Sequence, residues 1–333
     1  MKKRTRRILL AIAIEPFLIV AAIAGVACIQ LYTPRFHPPK DTYIYIDSDD
    51  TVDSVYYKVK SAGKLEHILA FRLLMNYRHY ADHIHTGCYL IRPGDNIYRV
   101  SSRLYRAHQH PVNLTIGSVR TLDKLARNVS RQLMIDSTQV AAVLTDSMLS
   151  LFIPNTYQVY WNMSAESFID RMKREHTRFW TADRRAKARA LDMTPDEVAT
   201  LASIVEEETN DAAEKSVVAG LYINRLKRGM MLQADPTVKY ALQNFELRRI
   251  TNEQLKTPSP YNTYLHAGLP PTPIRIPTPA GIDAVLNYAH HNYLYMCAKE
   301  DFSGTHNFAT NLADHNRNAN RYRAALNKRR IYQ

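Results

Sequence analysis

Glycine is scarce in this chain, 10 residues in 333 where about 7% is usual, and neither Gly-x-x-x-x-Gly-Lys nor Gly-x-Gly-x-x-Gly occurs. Folds built around a glycine-rich phosphate loop are thereby disfavoured. Cysteine is scarcer still: Cys28, Cys88 and Cys297 have no Cys-x-x-Cys spacing and are too few for a disulfide framework. Structural zinc and thiol redox chemistry have no support. Acidic residues are the minority charge, 31 against 44 Lys and Arg, so the formal net charge is +13. With 46% hydrophobic and 23% charged residues, the composition is that of a globular protein, neither disordered nor polytopic in a membrane. The length allows one or two cores. No internal repeat or low-complexity tract is present.

One long hydrophobic run does occur. Residues 1–7 form a basic tail with Lys2, Lys3, Arg4, Arg6 and Arg7, and residues 8–32 follow with Glu15 as their single charge. This reads as a transmembrane anchor with the basic end in the cytoplasm and everything after Pro34 outside. Glu15 is expected near the cytoplasmic interface, with Pro16 opening the spanning helix. A cleaved signal peptide, with small residues at Ala22 and Ala24, is the alternative, and a lipoprotein site at Ala27-Cys28 a weaker one. All three lead to the cell envelope. Positive charge there suits anionic lipid or a polyanionic wall, and the dispersed basic residues argue against nucleic acid.

Pro34, Pro38 and Pro39 mark residues 33–41 as a stiff linker. Thr42 to Ile46 alternates as a strand, Ser48 to Lys60 reads as a helix, Gly87 to Ile91 as a second strand and Asn96 to Arg106 as a second helix, a small α+β module over 42–118. Residues 119–192 are mostly helical, a connector broken at Leu151 to Tyr157. At Thr194-Pro195-Asp196-Glu197 the chain carries an N-cap, a proline at the first helical position and a capping box, so a helix starts there and runs to Thr209. Asp211 and Glu214 make a second start, ended at Gly229. Seven of the sixteen prolines fall between Pro258 and Pro279, which predicts a stiff ordered loop without regular structure. Tyr293 to Cys297 and His306 to Phe308 read as a hairpin around Gly304, and a last helix spans Asn311 to Lys328. The fold class is α+β, with a mixed α/β region over 193–333.

Three glutamates end the helix that Thr194 opens. At 100° per residue, Val198, Leu201, Ala202, Val205 and Thr209 share an apolar face, Glu207 lies opposite it and is expected in solvent, and Glu206 and Glu208 flank it. Ala199, Ala202 and Ser203 leave room beside Glu206 for a ligand, or for a closely packed helix. Adjacent carboxylates at the negative end of a helix dipole resist ionisation, which is what a general acid requires, although acidic runs are more often solvated faces.

The ordered series Leu201-Ala-Ser-Ile-Val-Glu206-x-Glu208-Thr209, Tyr222-Ile-Asn-Arg-Leu226, Leu232-Gln233-x-Asp235-Pro-Thr237-Val238-x-Tyr240, Tyr261-Asn262-Thr263-Tyr264, Gly268-Leu-Pro-Pro271, Tyr293-Leu-Tyr295, His306-x-Phe308 and His315-Asn316 resembles the YceG-like endolytic murein transglycosylases. It covers about residues 190–325. Upstream the likeness is looser, an N-terminal anchor, a LysM-like module and a helical connector. The resemblance implies cleavage within peptidoglycan glycan strands, leaving 1,6-anhydro-N-acetylmuramic acid ends, with Glu206 as the catalytic acid and base. Glu208 is a supporting acid, and Glu207, where relatives often have a basic residue, is expected to raise the pKa of Glu206. Asp235 is the candidate for stabilising positive charge at C1, unless the substrate's acetamido group does so. Gln233, Thr237, Asn262, Thr263, His306 and His315 are candidates for hydrogen bonds to sugar, and Tyr261, Tyr264 and Phe308 for stacking on pyranose faces, core packing being the other reading of each aromatic. The chemistry requires no metal and no cofactor. The expected partners are glycan strands, the cytoplasmic membrane, and peptidoglycan polymerases or division proteins. A lysozyme-like hydrolase with the same acid, and a wall-binding or division scaffold without activity, are the competing functions.

Overall fold

The computed structural model describes residues 2–247 and 249–329, with side chains from residue 15. The basic side chains of the expected tail at 1–7 and the last residues of the expected catalytic region, 330–333, lie outside the described residues. The chain folds as two compact units, 1–113 with 158–163, and 114–157 with 164–333.

The first unit begins with α1 (Lys2–Tyr32), whose segment Glu15–Tyr32 is long and apolar enough to cross a membrane. Pro16 lies inside this helix and does not open it as expected. A helix can pass through a proline at the loss of one backbone hydrogen bond when the surrounding residues favour it. Then follow β1 (Thr42–Ile46), α2 (Val52–Gly63), α3 (Leu69–Tyr77), β2 (Gly87–Ile91) and α4 (Ile97–Tyr105). β1 and β2 pair antiparallel with Thr42 opposite Ile91 and Ile46 opposite Gly87. Both strands match the ranges expected from alternation. Asn96 caps α4 through its side chain, which accepts from Arg99 N at 2.8 Å. Ile44, Ile46, Val55, Val59, Phe71, Met75, Ile91 and Val100 fill the core between ribbon and helices.

The chain then runs through β3 (Val112–Ile116), α5 (Leu122–Ser130), α6 (Ser137–Ala142) and β4 (Asn155–Val159), which pairs with β3; the boundary between the units cuts both strands. α7 (Ala165–Phe179) and α8 (Ala182–Ala190) lead to α9 (Pro195–Glu208). Here the expected capping box forms: Thr194 Oγ1 accepts from Glu197 N at 3.2 Å, and the Glu197 carboxylate accepts from Thr194 N at 2.7 Å. The single apolar face does not hold. Every residue from Val198 to Glu206 is buried, because α9 is enclosed by its neighbours on all sides, the condition of a central helix. Even Ser203 is sealed in, donating to Thr200 O at 2.7 Å and accepting from Ile274 N at 3.0 Å.

α10 (Lys215–Lys227) follows a turn in which Asp211 Oδ1 accepts from Ala213 N and Glu214 N at 2.8 and 3.1 Å. α11 (Asp235–Ala241) comes next. The proline-rich loop is irregular until α12 (Pro279–Leu286), where Thr278 caps the helix and Pro279 opens it. β5 (Tyr295–Ala298) and β6 (His306–Ala309) form the expected antiparallel hairpin, and α13 (Leu312–Lys328) follows from its cap Asn311. The architecture is mixed α+β with small two-stranded sheets. Since Thr194 satisfies an otherwise orphaned donor at the start of the helix that carries the glutamates, Thr194→Ala should lower the unfolding free energy by about 1 kcal/mol. Urea denaturation would show this as a lower midpoint with an unchanged slope.

Candidate functional site

Consecutive residues at the end of α9 point about 100° apart, and the three glutamates enter three different environments. Glu206 turns inward against α12. Its carboxylate accepts from Thr278 N at 3.2 Å on both oxygens and from the Thr278 hydroxyl, while Lys215 Nζ and Arg275 Nε stand 3.7 Å away. Its side chain is 3% exposed. The small-residue flank has been filled by a helix, the second of the two meanings that such a flank carries. A Cβ built on Gly281 would lie 2.6 Å from Glu206 Oε1, so the close approach depends on that glycine.

Glu207 is not in solvent. It accepts two hydrogen bonds from Arg120, at 2.8 and 2.9 Å, and a third from Arg275 at 3.0 Å. The expectation failed because Arg120 and Arg275 arrive from distant parts of the sequence to cover the polar side of the helix. Two carboxylates and three cations thus form one compensated cluster, the state in which buried charge is tolerated.

Glu208 faces a cleft of about 250 Å³ lined also by Tyr222, Arg225, Gln233, Asp235, Tyr264 and His306. Tyr222 donates to Glu208 Oε1 at 2.8 Å. Burial pushes the Glu208 carboxyl up to about 7; the Tyr222 hydrogen bond opposes the shift, and the charge of Asp235 adds to it. Asp235, at the start of α11, accepts from the Tyr264 hydroxyl at 2.6 Å. Pro236 follows it where helices accept proline. Gln233 reaches the cleft from a left-handed backbone position, φ +49°, and its N–H donates to Thr263 O at 3.1 Å.

His306, on β6, is held by Glu214, which accepts from His306 N at 2.7 Å and lies 2.8 Å from His306 Nδ1. The side chain of Glu214 is 8% exposed, and the sequence showed it only as a helix start. Arg225, also unassigned in advance, is buried in α10 and donates to Leu294 O at 2.6 Å and Leu232 O at 2.8 Å. Its place one turn after Leu221 and Tyr222, on the buried side of α10, was the available signal. Tyr222 likewise stood in the motif without a role.

The remaining expected contacts do not reach the cleft. Asn262 is fully buried and donates to Leu255 O and Thr257 O, both at 2.9 Å, holding its own loop. Thr263 and Thr237 are buried 2.9 Å apart, and Thr263 Oγ1 accepts from Ala234 N. Tyr261 packs on Tyr240 and hydrogen-bonds Thr272 at 2.8 Å. Phe308 stacks on Tyr293, and His315 packs against Tyr295, its pKa lowered by burial and by Arg225. These side chains shape the walls around the cleft. Among the described residues, no group of three or more His, Cys, Asp and Glu is placed to hold a metal ion.

The fold is shared with a YceG-like protein of Listeria monocytogenes, whose crystal structure superposes with a TM-score of 0.54 at 23% identity over 84% of this chain and 98% of that one. Residues 44–321 match the YceG-like family, and the chain belongs to it. An endolytic murein transglycosylase of Bacillus subtilis is 37% identical over 130 residues, 39% of this chain and 35% of the relative. One of Streptococcus pneumoniae is 25% identical over 315 residues, 82% of this chain and 57% of the relative. The chain therefore spans between about a third and somewhat over half of the length of the curated relatives it matches.

A carboxyl raised to about 7 from an ordinary 4.5 makes the folded state bind a proton that the unfolded state has released, so this group's contribution to stability is complete below pH 4.5 and is lost as pH rises to 7. Glu208→Gln should accordingly gain stability over the native chain across that window and keep the advantage above it, as measured by urea midpoints from pH 4 to 8. Gly281→Ala should lose about 1–3 kcal/mol by overpacking Glu206, read by the same denaturation at pH 7.

Proposed function

We propose that the chain is a membrane-anchored endolytic murein transglycosylase, the activity named for its relatives, and that on the geometry of the site Glu208 is its general acid, with Glu206, the acid that the motif implies, as the second reading. The observation that carries the choice is the environment of each group. Glu208 lines the cleft with its pKa raised to about 7, whereas Glu206 is enclosed by Thr278, Lys215 and Arg275. An acid that donates at neutral pH needs both its proton and access to substrate.

The reaction follows from one carboxyl group. Protonated Glu208 donates to the glycosidic oxygen leaving C1 of N-acetylmuramic acid as the C1–O bond breaks. The resulting carboxylate then accepts the proton of the C6 hydroxyl while that oxygen bonds to C1, giving the 1,6-anhydro end and regenerating the acid. No water is consumed, so the enzyme is a lyase. The hydrogen bond from Tyr222 occupies Glu208 Oε1 and leaves the other oxygen for the proton. Positive charge at C1 is met by Asp235, held in place by Tyr264, or by the substrate's acetamido group. Gln233, His306 and Tyr264 then serve the sugar directly.

The same proposal includes the division of labour along the chain. The basic tail at 1–7 stays in the cytoplasm, the anchor at 8–32 crosses the membrane, and the linker at 33–41 leads outside. A LysM-like module at 42–118 holds glycan, a reading supported by two helices lying between the paired strands β1 and β2. The connector at 119–192 precedes the catalytic region at 193–333, and peptidoglycan polymerases or division proteins are the expected protein partners.

Mass spectrometry of fragments released from long uncrosslinked glycan strands tests this. The native chain should give anhydro ends, Glu208→Gln should lose about 10²–10⁴-fold in rate, and Glu206→Gln should keep most of its activity in whatever fraction remains folded. A loss confined to Glu206→Gln would return the acid to that residue, and reducing ends would mean hydrolysis. Because the acid must be protonated, kcat/KM should fall above a pH of about 7 by roughly tenfold per unit.

A further inference from the structure

The first unit leaves one apolar face without a protein partner. On α3, Phe71 and Met75 are buried, but Leu69, Leu73 and Tyr77, spaced by four and therefore on one side of the helix, are 67%, 60% and 83% exposed. Exposing two leucines and a tyrosine in a row has no folding benefit within the unit.

The position of this face relative to α1 suggests what covers it. The end of α1 is fastened to the unit: Asn96 Nδ2 donates to Tyr32 O at 3.1 Å, the rings of Tyr32 and Tyr98 lie 5.1 Å apart, and the chain beyond forms a bridge between Pro34 and Asn96. Gln30, within the apolar segment, lines the same cavity of about 370 Å³ as Leu69 and Leu73. Gln30 lies about 3 Å of helix from the end of α1. The two leucines are therefore level with the last turn of the segment that fits a hydrocarbon core. Arg35, His37 and His67 line the cavity too, beside the acid Glu66, and Arg72 on α3, about half exposed, is paired with Asp53 at 3.2 Å. A tyrosine at the end of a span, apolar side chains beside it and an arginine at the rim are what a bilayer surface with anionic headgroups receives.

We propose that the Leu69, Leu73 and Tyr77 face of α3 docks into the surface of the bilayer that α1 crosses, so that the first unit lies on the membrane and does not swing from it. This inference rests on reading α1 as membrane-spanning. It assigns the face to lipid, not to a second copy of the chain.

The test uses the full chain in vesicles of phosphatidylcholine brominated on its acyl chains, mixed with phosphatidylglycerol, because bromine quenches indole emission on contact. Leu73→Trp adds one indole on an exposed site, and Phe17→Trp adds one inside the apolar segment; the emission of native Trp161 and Trp180 is subtracted. The added emission of Leu73→Trp should be lost as that of Phe17→Trp is, relative to vesicles without bromine. If Phe17→Trp is quenched and Leu73→Trp is not, the docking is overturned while the anchor stands. Blue-shifted but unquenched emission from Leu73→Trp would put a second copy on the face, which overturns the proposal as well. If neither is quenched, the spanning reading fails and the docking fails with it.

Discussion

Three carboxylates in successive positions of a helix cannot share an environment, because each residue turns the next through about 100°. At the end of α9 this constraint divides a run of like charge into parts with different fates. Glu206 is neutralised inside the protein and Glu207 is clamped by two arginines, and with both compensated the helix end can be buried. Glu208 is left beside a cleft, where burial and the charge of Asp235 raise its pKa against the opposing effects of Tyr222, His306 and Lys239. α12 takes part in the same arrangement, since its glycine at 281 and its cap at Thr278 let it close over Glu206.

The walls of the cleft are held by a similar economy of partners. Each carboxylate that faces it is met by one tyrosine hydroxyl, Tyr222 at Glu208 and Tyr264 at Asp235. Arg225 ties α10 to the segment before Gln233 and to the strand entering the hairpin, and Glu214 ties the start of α10 to His306. These ties fix the distances between the side chains that line the cleft.

What the sequence made legible was local. The capping box at Thr194, the strands of the first unit, the hairpin around Gly304 and the last helix up to Lys328 depend on neighbouring residues, and all formed where expected. The short helix α12 was hidden because Pro279 belongs to the proline-rich run that predicts a loop, although Thr278-Pro279 repeats the signal of Thr194-Pro195. In the site, the ordered motifs led to Glu208, Gln233, Asp235, Tyr264 and His306, which line the cleft, and also to side chains that do not reach it. Asn262, Thr263 and Thr237 are polar residues bound by close geometry, and a buried loop demands such residues as much as a ligand does. The different surroundings of Glu206 and Glu208 depend on where Arg275, Lys215 and α12 come to rest, which one helix read alone does not contain.

The cleft draws on residues far apart in the chain, with Glu208 on one side and His306 on another. Synthesis runs from the N-terminus, so α9 with Glu208 emerges long before the hairpin that carries His306. Until that hairpin has paired and docked, the cleft lacks a wall. A carboxyl made proton-hungry by its surroundings acquires that property only once those surroundings exist.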